Sequence, residues 1–181
     1  MQIETKRLLL RPFAEADAAD LYKYAKDPEV GPAAGWPPHD SVEESRNIIR
    51  LVLSGPESYA ICKKEDGRVI GAIGLSLNGD SRLAEGEDEC ELGYWIGKPF
   101  WGQGLMTEAS EALLRRAFTE LGMRRVWCGY FEGNEKSKRV QEKLGFRHEK
   151  TVREVDVPLL KEVRIEHVSL LSREAWLQKN M

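Results

Sequence analysis

The stretch KPFWGQGLMTEAS (Lys98–Ser110) decides how this chain reads. Two glycines, Gly102 and Gly104, flank Gln103. Behind them Met106, Ala109, Leu113, Leu114, Ala117, Phe118 and Leu121 form an apolar stripe, with Glu108, Glu111, Arg115, Arg116 and Glu120 off it. That pattern predicts an amphipathic helix of about four turns, stopped by Gly122. Upstream, CELGYWIG (90–97) reads as a strand. A strand therefore enters the glycine pair and a helix leaves it. The first amides of such a helix have no intrahelical partners, and the helix dipole adds about half a positive charge there. Glycine lets another group reach those amides with no Cβ in the way. The result is a cradle for an anion, most often a phosphate. Taken alone, the glycine pair is equally compatible with a tight strand-to-helix turn.

Two familiar phosphate motifs fit poorly. A Walker loop needs Lys-Ser/Thr after its last glycine, where this chain has Leu105-Met106. A dinucleotide fingerprint needs a third glycine, where it has Thr107.

Outward from this stretch, the chain reads as one mixed α/β domain over 1–181. "IETKRLLLR" (3–11) is a strand, and "EADAADLYKYAKDPEV" is a helix ended by Asp27-Pro28. "GPAAGWPPHD" (31–40) is a Gly/Pro-rich loop carrying Trp36. Ser41 and Glu44 then form a capping box for a second helix. Three strands follow (58–64, 68–77, 90–97), with glycines at 71, 74, 93 and 97 that suggest bulges or close backbone approach. After the glycine pair and its helix come a strand at 124–131, a short helix from Asn134 to Gly145, and strands near 148–155 and 163–171.

Bulk composition narrows the function. The 181 residues suffice for a domain with a real core. With 41% hydrophobic and 31% charged residues the composition is that of a soluble globular chain. No apolar run approaches the roughly 20 residues of a membrane span, and the N-terminus does not read as a signal peptide. A net charge of −3 offers no basic field, so nucleic acid is not favoured as a partner. Cys62, Cys90 and Cys128 are an odd set without CxxC spacing, as in a reduced, cytoplasmic protein. Three lone histidines give no metal-ligand spacing, so no metal is expected.

The stretch "FWGQGLMTEA" resembles the pyrophosphate loop of the GNAT (GCN5-related) N-acetyltransferases, commonly written Arg/Gln-x-x-Gly-x-Gly/Ala. Here it runs Trp101-x-x-Gly104-x-Met106. The tryptophan is similar to the RimJ/RimL-like branch, in which "WGxGxxTEA" is common. "ETKRLLLRPF…DAADL", "ELGYWIG" and "NEKSKRVQEKLGF" resemble that branch's first strand and helix, its fourth strand and its "NxxSxRVxEKLGF" segment. The four motifs occur in the family's order and cover nearly the whole chain. One departure is Met106, which stands where the family has Gly or Ala. Its place on the apolar stripe is compatible with inward packing; pointing at the diphosphate instead, it would weaken cofactor binding.

The resemblance implies an α/β (α+β) acyl-CoA N-acyltransferase fold. Its mixed, mostly antiparallel central sheet carries two splayed parallel strands, here 90–96 and 124–131, and flanking helices. Acetyl-CoA would bind between those strands as co-substrate. Its pantetheine arm would pair with Tyr94, Trp95 and Ile96, and its diphosphate would lie on Trp101, Gly102, Gln103, Gly104, Leu105, Met106 and Thr107. An amine would attack the thioester directly, with a backbone N–H supporting the oxyanion. Asn134 would hold the cofactor arm, and Ser137 would hydrogen-bond the leaving sulfur. From the residues alone, the better reading is that Asn134 merely caps the helix with Ser137 in its first turn. Glu91 is the preferred base, with Glu89 and Asp156 as other candidates. Each of the three also reads as an ordinary solvated carboxylate.

An acceptor amine attacks only when neutral. At pH 7 that costs a lysine-like amine roughly 4.6 kcal/mol and an α-amine only about 1 kcal/mol, so a strong base is optional for an α-amine. Trp36 and His39 lie where the family shapes its acceptor pocket. Tyr130 reads as core before it reads as a cleft residue, Cys128 reads as core, and Lys136, Lys138, Arg139 and Lys143 read as a solvated helix face, one member of which could meet a 3′-phosphate. The expected activity is acetyl transfer to a primary amine, either a protein N-terminus or a small molecule, by a monomer or homodimer. The other reading is a noncatalytic acyl-CoA-binding module, which would keep the glycine cradle without needing Ser137.

Overall fold

A computed structural model describes residues 1–77 and 80–180. Its elements are β1 (Ile3–Glu4), β2 (Leu8–Arg11), α1 (Ala18–Ala25), α2 (Gly31–Ala34), α3 (Val42–Leu51), β3 (Ser58–Lys63), β4 (Val69–Leu77), β5 (Glu89–Ile96), α4 (Leu105–Thr119), β6 (Arg125–Phe131), α5 (Glu135–Leu144), β7 (Arg147–Val157), β8 (Glu162–Ser172) and α6 (Arg173–Asn180). The strands form an eight-stranded sheet in the order β1-β2-β3-β4-β5-β6-β8-β7. β5 and β6 pair in parallel, and β1–β2, β2–β3, β3–β4, β6–β8 and β7–β8 pair antiparallel. This is the expected mixed, mostly antiparallel sheet with flanking helices. Among the described residues no helix is long and apolar enough to cross a membrane.

The chain divides into two compact units, Met1–Gly74 with Tyr94–Ala112, and Leu75–Gly93 with the residues from Leu113 onward. In the first, the expected single strand over 3–11 is a tight hairpin. Ile3 pairs with Leu10 and Glu4 with Leu9. The turn is closed by Thr5, whose hydroxyl oxygen accepts from the Leu8 amide at 2.9 Å. The apolar side chains of Leu8, Leu10, Leu21, Tyr59, Ile61 and Ile70 are nearly or wholly buried and form the unit's core. The capping box before α3 forms by half. Ser41 Oγ accepts from the Glu44 amide at 3.1 Å, while the Glu44 carboxylate accepts from the amide of Asp40 instead of Ser41. Gly71 is a point of close approach, since a Cβ there would lie 2.3 Å from the carbonyl oxygen of Trp95.

The second unit carries β6, β8 and β7 side by side with the start of β5. β6 and β8 pair residue for residue from Arg125↔Ser172 to Phe131↔Glu166. The parallel register of β5 and β6 covers only Glu89↔Arg125, Cys90↔Val126 and Glu91↔Trp127. Leu113, Leu114, Ala117 and Phe118, from the second half of α4, are fully buried. Cys128 is core, as read from the sequence.

The sequence reading missed α2 and α6. Gly31-Pro32-Ala33-Ala34 makes one helical turn inside the supposed loop, ended by Gly35 in a left-handed conformation. α6 starts after Ser172, whose hydroxyl oxygen accepts from the Ala175 amide at 3.2 Å, and Trp176 packs against Phe118 with ring centroids 5.3 Å apart.

Candidate active site

The glycine pair has a conformational reason. Gly102 and Gly104 both have φ of +74°, a region that costs an ordinary residue about 1–2 kcal/mol. A Cβ at Gly102 would meet nothing within 4 Å, so the backbone there stays open to an approaching group. The first intrahelical bond of α4 shown runs from the Glu108 amide to Gly104 O at 3.0 Å. The amides of Leu105, Met106 and Thr107 therefore stand ahead of the ladder. Leu105 and Met106 are buried at 5% and 7% exposure, so the Met106 side chain packs inward and does not fill the cradle. A diphosphate fits an open, glycine-bordered helix start of this kind.

The loop is held in place by side chains. Trp101 Nε1 donates to Ile96 O at 2.9 Å, and Gln103 Nε2 donates to Pro99 O at 2.8 Å. The sequence reading placed Glu108 merely off the apolar stripe, yet it is the main anchor. Its carboxylate accepts from Thr5 Oγ1 at 2.6 Å, from the Arg7 amide at 2.7 Å and from Arg7 Nε at 2.7 Å. Arg7 Nη1 also donates to Gln103 O at 3.0 Å. Burial acts to raise the Glu108 pKa, and the bonds from Thr5 and Arg7 outweigh it, so the carboxyl is held below the ordinary glutamate value. No local signal reveals this clamp, because its partners lie about a hundred residues apart in sequence.

The proposed acceptor residues lie in the same unit as the loop. Trp36 packs edge-on to Trp95 with centroids 5.3 Å apart and tilts against His39 at 5.2 Å. His39 is buried, and its Nδ1 is 2.8 Å from Ser45 Oγ. Burial lowers its pKa, against the opposing pull of Glu44 and Asp40. Tyr94, Trp95 and the buried Ile96 close β5 just before the loop.

In the second unit, Asn134 caps α5 and its Oδ1 accepts from the Ser137 amide at 3.2 Å. Ser137 is half-buried in the first turn. Of the carboxylates, Glu91 is half-buried and accepts from Ser81 Oγ at 3.0 Å. Glu89 is occupied structurally, accepting from Trp127 Nε1 at 2.7 Å and from Arg125 Nη1 at 3.0 Å. Burial works to raise its pKa, and those bonds hold it low, which makes it a poor base. Asp156 is exposed on β7 opposite Val163. Tyr130 stacks on His167 with centroids 5.0 Å apart, and burial raises its pKa. The sequence reading also passed over Glu166, which is buried on β8 and takes both its contacts of 2.6 Å from Arg82 Nη2.

Known proteins resemble this chain along its length. Residues 7–147 match the model of an acetyltransferase (GNAT) domain. An N-acetyltransferase of Bacillus licheniformis, p20, whose function is uncharacterised, is 29% identical over 175 residues, covering 94% of this chain and 96% of that protein. YdaF of Bacillus subtilis, provisionally named a ribosomal N-acetyltransferase, is 39% identical over 89 residues, 49% of this chain and 46% of its own. A GNAT-family acetyltransferase structure from Bacillus anthracis shares the fold, with a TM-score of 0.83 and 24% identity across 96% of this chain and 99% of its own. GNAT enzymes use acetyl-CoA and an amine acceptor, and this chain is an acetyltransferase that belongs to the GNAT family.

Proposed function

We propose that this protein transfers the acetyl group of acetyl-CoA directly to a primary amine, and that the amine is a protein N-terminal α-amine, the acceptor of RimJ/RimL-like relatives. The observation that carries the cofactor half is the helix start at Gly104, left open by two left-handed glycines and an inward Met106. The amides of Gly102 to Thr107 would hold the diphosphate, and the backbone of Tyr94–Ile96 would pair with the pantetheine arm. Acetyl-CoA supplies a thioester whose carbonyl carbon the amine attacks. The C–N bond forms, the C–S bond breaks, and the amine's surplus proton ends on sulfur. Ser137 would hydrogen-bond the leaving sulfur, and Asn134 would hold that helix start in place.

The acceptor half rests on the same energetics as before. An α-amine needs only about 1 kcal/mol to lose its proton at pH 7. A half-buried carboxylate such as Glu91, already sharing a hydrogen bond with Ser81, suffices for so small a demand. Trp36 and His39 would line the acceptor entrance. The partial likeness to YdaF supports a ribosomal N-terminus over a small amine. Three buried cysteines that form no disulfide suit a cytoplasmic setting.

The test combines thermal unfolding with acetyl-CoA, CoA or ATP and an acceptor screen. A ligand bound only by the folded form raises the melting temperature. Acetyl-CoA and CoA should do so and ATP should not. Free N-terminal peptides should then release CoA thiol faster than lysine-bearing peptides with blocked N-termini. Absence of a shift at millimolar acetyl-CoA would defeat the cofactor reading, and turnover of small amines alone would defeat the peptide reading.

A further inference from the structure

We propose that Gln141 is a positioning residue for Ser137, holding that hydroxyl so that its proton points to the leaving sulfur. The inference rests on the reading of Ser137 given above. Gln141 lies one turn after Ser137 on the same face of α5 and is 1% exposed. Its Nε2 is 3.3 Å from Gly129 O on β6 and 3.3 Å from Ser137 Oγ. A carbonyl oxygen only accepts, so the Gly129 contact fixes which end of the amide faces β6. The two N–H groups then serve one acceptor each. Both contacts lie at the long end of the hydrogen-bond range.

Two features point beyond packing. Its Oε1 is buried and has no hydrogen-bond partner among the described residues. A buried polar atom without a partner destabilises the fold, and leucine would fill the space without that cost. The second feature is the direction of the bond to Ser137. When Ser137 Oγ accepts from Gln141, the hydroxyl proton remains the group's means of donating elsewhere. Ser137 is thus fixed twice, at its amide by Asn134 and at its hydroxyl by Gln141, which is itself tied to the strand. A hydroxyl with its rotation fixed loses less freedom when it donates to a developing thiolate, which is how prepared donors favour a transition state.

The test needs no acceptor. The thiol of CoA bound to the protein is titrated by thiolate absorbance in the wild type, Ser137→Ala, Gln141→Leu and the double variant, with thermal unfolding alongside. The wild type should hold the thiol pKa below that of free CoA. Ser137→Ala should raise it by about tenfold in proton affinity, the scale of one charge-assisted hydrogen bond. Gln141→Leu should recover part of that rise, and the double variant should equal Ser137→Ala. Thermal unfolding reads any loss of stability from the Gly129 contact separately, and Gln141→Met serves if the leucine variant does not fold. A Gln141 effect that adds fully to Ser137→Ala, or no Gln141 effect beside a clear Ser137 effect, overturns the positioning role and leaves the proposed function standing. A silent Ser137→Ala, or failure to bind CoA, overturns both.

Discussion

Two helices in this protein begin in opposite ways. α5 is capped from within, since Asn134 Oδ1 takes the Ser137 amide. α4 follows Gly104, which has no side chain to cap with, and its support comes from outside through the Glu108 clamp to Thr5 and Arg7. A side-chain cap satisfies an amide that a ligand would otherwise use. An acid turned sideways into a clamp steadies the first turn while keeping its amides available. Under the proposed function, the difference separates a helix start capped for stability from one left to take the diphosphate.

The largest expected effect comes from Met106→Ala. Truncating a buried methionine costs about 2–5 kcal/mol, and denaturant unfolding should show it, although alanine is a residue of the family pattern at this position. Acetyl-CoA affinity should stay nearly unchanged, because the Met106 side chain faces the core. Weakened binding that exceeds the loss of stability would mean the side chain shapes the cradle.

Gly104→Val sharpens the comparison next. A β-branched residue at φ +74° is strained by about 1–2 kcal/mol. Calorimetric titration should show acetyl-CoA affinity reduced by tenfold or more, on the order of the 1.4 kcal/mol that a tenfold change represents. Unchanged affinity would remove the loop from the binding site.

Glu108→Gln should cost about 1 kcal/mol, discounted because the Arg7 side chain is 46% exposed. Its pH dependence has a definite sign. The folded Glu108 pKa lies below the ordinary value, so its stabilisation is present above that value and is lost as pH falls through the folded one. The gap between wild type and Glu108→Gln should close in acid. A gap that widened would contradict the clamp. The smallest effect is Asn134→Ala, about 1 kcal/mol by loss of the cap, seen in thermal unfolding.

What the sequence revealed follows from how local each signal is. The stripe of α4, the helix stops at Gly122 and Gly145 and the order of the central strands are written in neighbouring residues, and each is present. The inward placement of Met106 was also legible, from its position on the stripe. The hairpin turn at Thr5 was hidden because Glu4-Thr5-Lys6-Arg7 carries no Gly or Pro to mark it, and α6 by its weak amphipathicity. The Glu108 clamp, the Arg82–Glu166 pair and the Gln141 contacts join segments far apart in sequence or depend on which helix face meets β6. Side-chain spacing cannot show those without the fold.

The most direct test of the account is amide hydrogen exchange with and without acetyl-CoA, read at Gly102 to Thr107 and at the first turn of α5. The account predicts strong new protection across 102–107, where the amides stand open, and a smaller change at Ser137, whose amide is already bonded to Asn134. Protection absent from 102–107 while the protein still binds acetyl-CoA would contradict it.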